Sequence, residues 1–368
     1  MILKKLKVVN FRNLKNVEVD FIKVNILYGE NAQGKTNLIE SIYYLLTGRS
    51  FRTFFDKELI KWGEEYAYIK GNLDWQEQDI LIESALNVQG EKRIKINQKT
   101  VKRQKELVYL FPVVIFTQDD IQSIKDEPLK RRQMFDRFLS ILNFQYYKNL
   151  LEYNKILYQR NIVLKSPDKL KDLDVWDDLL IEKGSNLTYH RLSILKELER
   201  YISEISKKIL GREALKVKYI CSFTVDDIDL DSIKRDFEES LSKQRKEDIN
   251  KKYTSVGPHR DDIIFYWQRE DREYSLRNFG SGGERKIAFL IWKLSELKLL
   301  SEKRREKAIL LIDDLFAELD DEKKEIVWNS IKDFQVFITT AYKLKFLEDQ
   351  PYFEINSGKV TFHEAYFK

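Results

Sequence analysis

The octapeptide GENAQGKT, Gly29 to Thr36, constrains this chain more than any other stretch. It follows the apolar run KVNILY and leads into KTNLIESIYYLLTG, where Ile39, Ile42, Tyr43 and Leu46 recur at helical spacing and Gly48 stands where the helix should end. Strand, glycine turn and helix in that order predict a phosphate-binding loop. The backbone of Gly29, Glu30, Asn31, Ala32, Gln33 and Gly34 wraps the phosphates at the helix N-terminus. Lys35 brings a positive charge to the terminal phosphates, Thr36 offers a hydroxyl to magnesium, and Asn37 completes the first turn.

Such a loop needs an acid at the end of a neighbouring strand to hold the metal. The segment AILLIDDLFAELD supplies an apolar run closed by Asp313 and Asp314. Asp313 is the expected metal-side carboxylate, with Thr36. Asp314, one residue on, is placed to orient or deprotonate an attacking water, which predicts hydrolysis of ATP as well as binding. Gln118, just after the buried run VVIF, either reaches the metal or water from a third side or is a surface glutamine.

Around these motifs the chain divides into three parts. Residues 1–125 read mostly as strands with period-two alternation, interrupted by the helix after the glycine loop. Residues 126–250 read as helices. Asp126 and Pro128 are a predicted cap and first-turn proline, and Leu187, Ile194 and Tyr201 with Leu198 and Ile205 form part of a heptad seam closed by Gly211. In residues 251–368 strands return, with two further helices. Both ends are α/β, so the expected fold is one α/β domain closed by the N- and C-terminal segments, with a helical arm inserted between them.

A second glycine turn, NFGSGGERK at Asn278 to Lys286, precedes a helix with an apolar stripe at Ile287, Leu290, Ile291, Leu294 and Leu297. It has no P-loop lysine, so it cannot hold a second nucleotide in the same way. It does place Ser281 and the N–H groups of Gly282 and Gly283 at a helix start suited to an anion. A glycine loop, then a Ser-Gly-Gly-acid turn ending in Glu284, then a strand acid with a downstream AELD: this order resembles the ABC-type ATPase heads of SMC-like proteins. That resemblance implies two heads sandwiching two ATP molecules, Ser281, Gly282, Gly283 and Glu284 of one capping the phosphate on the P-loop of the other, and Asp320 in the D-loop. NFRNL, GENAQGKTN, GRSFRT, EPLKRR and VGPHRDD, in this order and at this length, narrow the likeness to the RecF family.

The likeness to that family implies a weak, DNA-stimulated ATPase that dimerises on ATP, binds double-stranded, gapped or junction DNA, and acts with RecO and RecR in loading RecA during recombinational repair and replication. It also implies that Arg12 and Asn13 lie beside the nucleotide. The chain departs from the family's usual pattern at Phe51, Gln118 and Glu284, and Thr339 or Thr340 stands where ABC transporters carry a histidine. His259 is either a site residue or a turn histidine bonded to a neighbouring acid. For DNA, the candidate cations are Lys130, Arg131 and Arg132, and Lys243, Arg245 and Lys246. Each run is read either as a phosphate contact or as a solvated face, because acids are interleaved.

Composition bounds the alternatives. With one cysteine, Cys221, no internal disulfide forms, and the three histidines make no zinc pattern. Without a signal sequence or an apolar run of spanning length, a cytoplasmic protein with no membrane partner is expected. A net charge of +5 permits a polyanionic partner without requiring one. An SMC-like repair ATPase working with a nuclease would have a longer heptad arm. A transporter-coupling ATPase lacks its histidine here, and a P-loop kinase would leave the second glycine turn and the arm without a role.

Overall fold

The computed structural model describes residues 1–102, 107–269, 272–316, 319–342, 344, 347 and 349–364. It divides into two compact units, residues 1–118 with 301–368, and residues 119–300. Strands and helices are numbered in chain order.

The first unit holds two sheets. One is antiparallel, in the order β2 (Leu14–Asp20), β1 (Ile2–Phe11), β4 (Tyr66–Trp75), β5 (Gln78–Asn87), β6 (Lys92–Ile96) and β7 (Lys99–Thr100). Its alternation is legible in β1, where Leu3, Leu6 and Val8 are buried and Lys5 and Lys7 are not. The other runs β15 (Lys359–His363), β14 (Tyr352–Asn356), β3 (Val24–Tyr28), β13 (Gln335–Thr340), β12 (Ile309–Asp313) and β8 (Val113–Phe116), parallel from β14 to β8. Its central strands are buried almost throughout, as strands covered on both faces are.

Helix α1 (Lys35–Thr47) lies between these sheets: Leu38, Ile39, Ile42, Tyr43, Leu45 and Leu46 are all buried in one core with Leu6, Val8 and Ile69 of one sheet and Ile115, Leu311 and Phe337 of the other. Burial on all sides explains why its sequence is apolar beyond a single stripe. Gly48 ends it with φ +70°, its N–H donating to Tyr44 O at 2.8 Å. The short helix α2 (Leu107–Leu110) and α10 (Asp321–Ile331) complete this unit.

In the second unit, α3 (Gln118–Ser123) leads to α4 (Pro128–Leu142), α5 (Phe144–Leu164), α6 (Leu173–Leu210) and α7 (Leu230–Lys251). The cap of α4 is Glu127 and not Asp126, whose carbonyl instead accepts from the Arg131 guanidinium. On α6 the seam is buried at Leu187, Leu198, Tyr201 and Ile205, but Leu195 replaces the partly exposed Ile194, since 3.6 residues per turn drift away from an exact seven-residue repeat.

A three-stranded sheet, β11 (Arg272–Ser275), β10 (Asp262–Arg269) and β9 (Leu215–Ile220), belongs to this unit, as do α8 (Leu276–Phe279) and most of α9 (Gly282–Lys303). Residues 251–300 are thus compact with the helical residues. Trp292 of α9 is fully buried against Phe135 of α4 and Phe265 of β10, which ties the second glycine turn to the helical unit.

Buried charge organises the same unit. Arg160 bonds Asp177 at 2.6 Å, Asp248 at 2.8 Å and Thr254 at 2.8 Å; Arg191 bonds Asp136 at 2.8 Å, Tyr219 at 2.8 Å and the Pro258 carbonyl at 2.8 Å. His259 belongs to this framework. Its Nδ1 accepts from the Tyr153 hydroxyl at 2.6 Å and its Nε2 donates to Thr254 O at 3.1 Å, with no acid among these partners.

Burial pushes the His259 pKa down to about 3. The folded state thus binds its proton less readily than the unfolded chain, whose histidine titrates near ~6.5. Stability from this residue is full above that value and is lost as pH falls toward the folded pKa. We expect the thermal stability of the protein to fall between pH 7 and pH 5, and the His259→Gln variant to show a flatter profile. Equal slopes in thermal scans of the two would contradict this.

Candidate nucleotide site

Parallel pairing sets the site's rim. Thr340 is level with Tyr28, Thr339 with Leu27, Asp313 with Thr339, and Phe116 with Ile312, so Gln118, two residues past β8, and Asp314, one past β12, both follow the C-terminal ends of neighbouring strands. The P-loop, both threonines, both acids and Gln118 thus share the C-terminal edge of one sheet, the edge at which open α/β sheets place ligands. Gln118 is exposed there.

The loop's backbone makes a concave turn. Gly29, Ala32 and Gly34 have φ of 156°, 65° and 115°. A Cβ on Gly34 would lie 2.8 Å from Asn13 Oδ1, and one on Gly29 would lie 2.3 Å from Ile355 O, so both places require glycine. Lys35 closes the turn, its Nζ donating to Gly29 O at 2.6 Å and Glu30 O at 2.8 Å. Burial lowers its pKa, against the raising effect of Asp314 and Asp313.

Asp313 Oδ1 accepts from Thr36 Oγ1 at 3.0 Å and from Thr339 Oγ1 at 2.7 Å. Burial pushes this carboxyl's pKa up, partly offset by the two hydroxyls. A divalent cation fits here: hydroxyl and carboxylate are hard oxygen donors, and positive charge would relieve the desolvated acid. Asp314 has left-handed backbone, φ 57°, and its N–H donates to Thr339 Oγ1 at 2.9 Å. An acid tolerates that conformation better than most residues, and such outliers gather at functional sites. Thr339, read from sequence only as standing in for a histidine, holds both acids.

A second layer was not legible beforehand. Glu40, with a wholly buried carboxylate, accepts from Arg12 twice at 3.0 Å, from Arg52 at 3.1 Å and from Ser50 at 2.5 Å. Arg52 also donates to Asn37 Oδ1 at 2.8 Å, Asn37 to Asn13 Oδ1 at 2.8 Å, and Asn13 to Gln33 O at 3.1 Å. Asn13 therefore touches the P-loop, and Arg12 is held by Glu40 and by Glu58 O at 2.8 Å. The available signal was an acid in the otherwise apolar LIESIYYLL.

At the second glycine turn Ser281 and Glu284 form a capping box. Ser281 Oγ accepts from Glu284 N at 3.2 Å, and Ser281 N donates to a Glu284 carboxylate oxygen at 2.8 Å. This accounts for an acid at position 284. A Cβ on Gly282 or Gly283 would meet nothing within 4 Å, and neither has positive φ. No contact within the described chain requires glycine at these two places. Asp320 caps α10, accepting from Lys323 N at 2.9 Å; Ala317 and Glu318 of AELD lie outside the described residues.

Several expected DNA contacts are occupied otherwise. Arg131 is buried, paired bidentately with Asp262 at 2.8 Å, and so cannot contact DNA. Arg132 donates to Asp261 O at 2.6 Å, Arg245 pairs with Asp174 and Asp177, and Lys243 pairs with Glu239. Lys130, Lys243 and Lys246 are exposed, Lys243 within its surface pair with Glu239. Among the described residues no helix is long and apolar enough to cross a membrane.

This fold and rim define an ATPase head of the SMC kind. The family model for the RecF/RecN/SMC N-terminal domain matches residues 2–359. A DNA replication and repair protein RecF from Clostridium perfringens is 39% identical over 342 residues, 92% of each chain. A solved structure of the recombination mediator RecF with ATP, in the RecFOR pathway, has TM-score 0.88 and 36% identity, covering 98% of this chain and 99% of its own. An SMC head from Pyrococcus furiosus shares the fold, with TM-score 0.58 at 16% identity, covering 98% and 96%. The chain belongs to the RecF family of DNA replication and repair proteins.

Proposed function

We propose that this chain is an ATP-gated dimeric clamp on DNA with weak ATPase activity. Lys35, Thr36 and Asp313 of one copy hold ATP with magnesium, and Ser281, Gly282 and Gly283 of a second copy close on its terminal phosphate. Magnesium, when bound, neutralises phosphate charge. Asp314, with Gln118 on the same rim, positions the water whose attack removes the terminal phosphate and opens the dimer. DNA contact is with the backbone, salt-sensitive and DNA-stimulating for hydrolysis, at double-stranded, gapped or junction DNA, with Lys130 and Lys246 as exposed candidates. RecR, RecO and RecA are the partners proposed from the family's pathway, in the cytoplasm.

The observation that carries the dimer is the pair of glycines with open space around them. Glycine at a helix start costs stability relative to alanine, so an intrachain reason is missing while an external one, close approach of a phosphate, is supplied. Gly282→Ala with Gly283→Ala is expected to leave the protein at least as stable yet prevent ATP-driven association. Calorimetry beside size measurements reads both. Mixing gives the direct test of action in trans: Lys35→Ala and Ser281→Arg chains should each be inactive alone and regain part of the ATPase when combined. No recovery on mixing would count against sharing of the site between copies.

A further inference from the structure

The segment following α1 carries large apolar side chains in full view of solvent. Phe54 is 91% exposed and Phe55 69%, in a chain whose other phenylalanines are mostly core. Phe51, three residues before, packs edge-on against Tyr43 at 5.4 Å and fixes the start of the segment on α1. Arg52 fixes the next position through Glu40 and Asn37. Asn37 follows the P-loop threonine directly and is bonded through Asn13 to Gln33 O, so Arg52, two residues before Phe54, is tied to the nucleotide rim by a run of hydrogen bonds.

A matching feature flanks the second glycine turn. Phe279 is 74% exposed, and an open hollow of about 770 Å³ beside Ser281 is lined by Arg269, Arg272, Tyr274 and Phe279, with the carboxylates of Glu273 and Glu284 at its wall held by Lys218 and by Tyr274. Guanidinium planes and aromatic rings are good acceptors for a phenyl ring.

We propose that Phe54 and Phe55 of one copy dock into this hollow of a second copy when ATP is bound. The inference rests on the sandwich reading above: if one copy's P-loop meets another's Ser281, what flanks the first meets what flanks the second. Area supports it. A stable interface buries about 800 Å² per partner, and two aromatic rings supply about 300–400 Å² of it. The hydrogen-bonded tether then makes the rings part of the nucleotide response, since movement of the P-loop is transmitted through Asn13, Asn37 and Arg52.

The test is a cycle of dimer affinities with ATP and magnesium, measured by sedimentation for the wild type, Phe54→Ser/Phe55→Ser, Phe279→Ser and the combined variant, with Ser281→Arg as the undimerised reference. The expected result is about tenfold or greater weakening for each of the first two, little further loss on combination, and unchanged ATP affinity of the monomer. If the Phe54/Phe55 variant dimerises like the wild type, or if the two losses simply add, the docking is overturned while the sandwich stands. If the wild type itself does not dimerise and ATP still binds, the sandwich fails and the docking with it.

Discussion

Asp314→Asn is expected to lower ATP hydrolysis by about a hundredfold to ten-thousandfold while leaving ATP affinity nearly unchanged. Asparagine keeps the size of the side chain and accepts left-handed backbone as readily as aspartate, and the bond from residue 314 N–H to Thr339 is a backbone bond that survives the change. What is lost is the carboxylate's capacity to orient and accept a proton from water. Asp313→Asn should behave differently, weakening magnesium-dependent ATP binding itself, because Asp313 is the acid bonded to Thr36. Phosphate release at saturating ATP, set beside equilibrium binding, separates the two. Unimpaired turnover in Asp314→Asn would transfer the role of positioning water to another group on the rim, with Gln118 the first to try.

The second large effect concerns stability. Among the described residues Arg160 is the one cation paired with Asp248, a carboxylate with no exposure, and one of two paired with Asp177, and Arg160→Met removes it. Breaking a buried pair from one side leaves an uncompensated charge and costs about 3–5 kcal/mol. For a unit the size of residues 119–300 that corresponds to a fall in melting temperature of roughly 6–20 °C. Adding Asp248→Asn should recover part of the loss, since the stranded charge is then gone. A melting temperature within about 2 °C of the wild type would show that the network contributes little.

The nucleotide rim was legible in the sequence because its chemistry is local. GENAQGKT carries its own turn residues, and a run such as ILLID announces both a buried strand and the acid at its end. The inserted helical unit was legible in outline from helix periodicity, α6 above all. What periodicity could not supply was pairing across long separations. Arg131 sits in a basic run that reads as a surface cluster, yet its partner, Asp262, lies 131 residues away, and only the fold shows the charge buried. Glu40 is the same case within α1: a helical pattern marks its position, but not the two arginines that return to it from Arg12 and Arg52. That residues 251–300 are compact with the helical unit has a similar origin, since it depends on which side of α9 packs against Phe135 and Phe265.

Molar mass by light scattering, with and without ATP and magnesium, tests the central claim most directly when run on the wild type and on Ser281→Arg together with an ATP-binding assay. The account predicts that ATP doubles the mass of the wild type, and that the variant binds ATP with similar affinity but stays a monomer. A wild-type mass that ATP leaves unchanged, even with duplex DNA present, would contradict it.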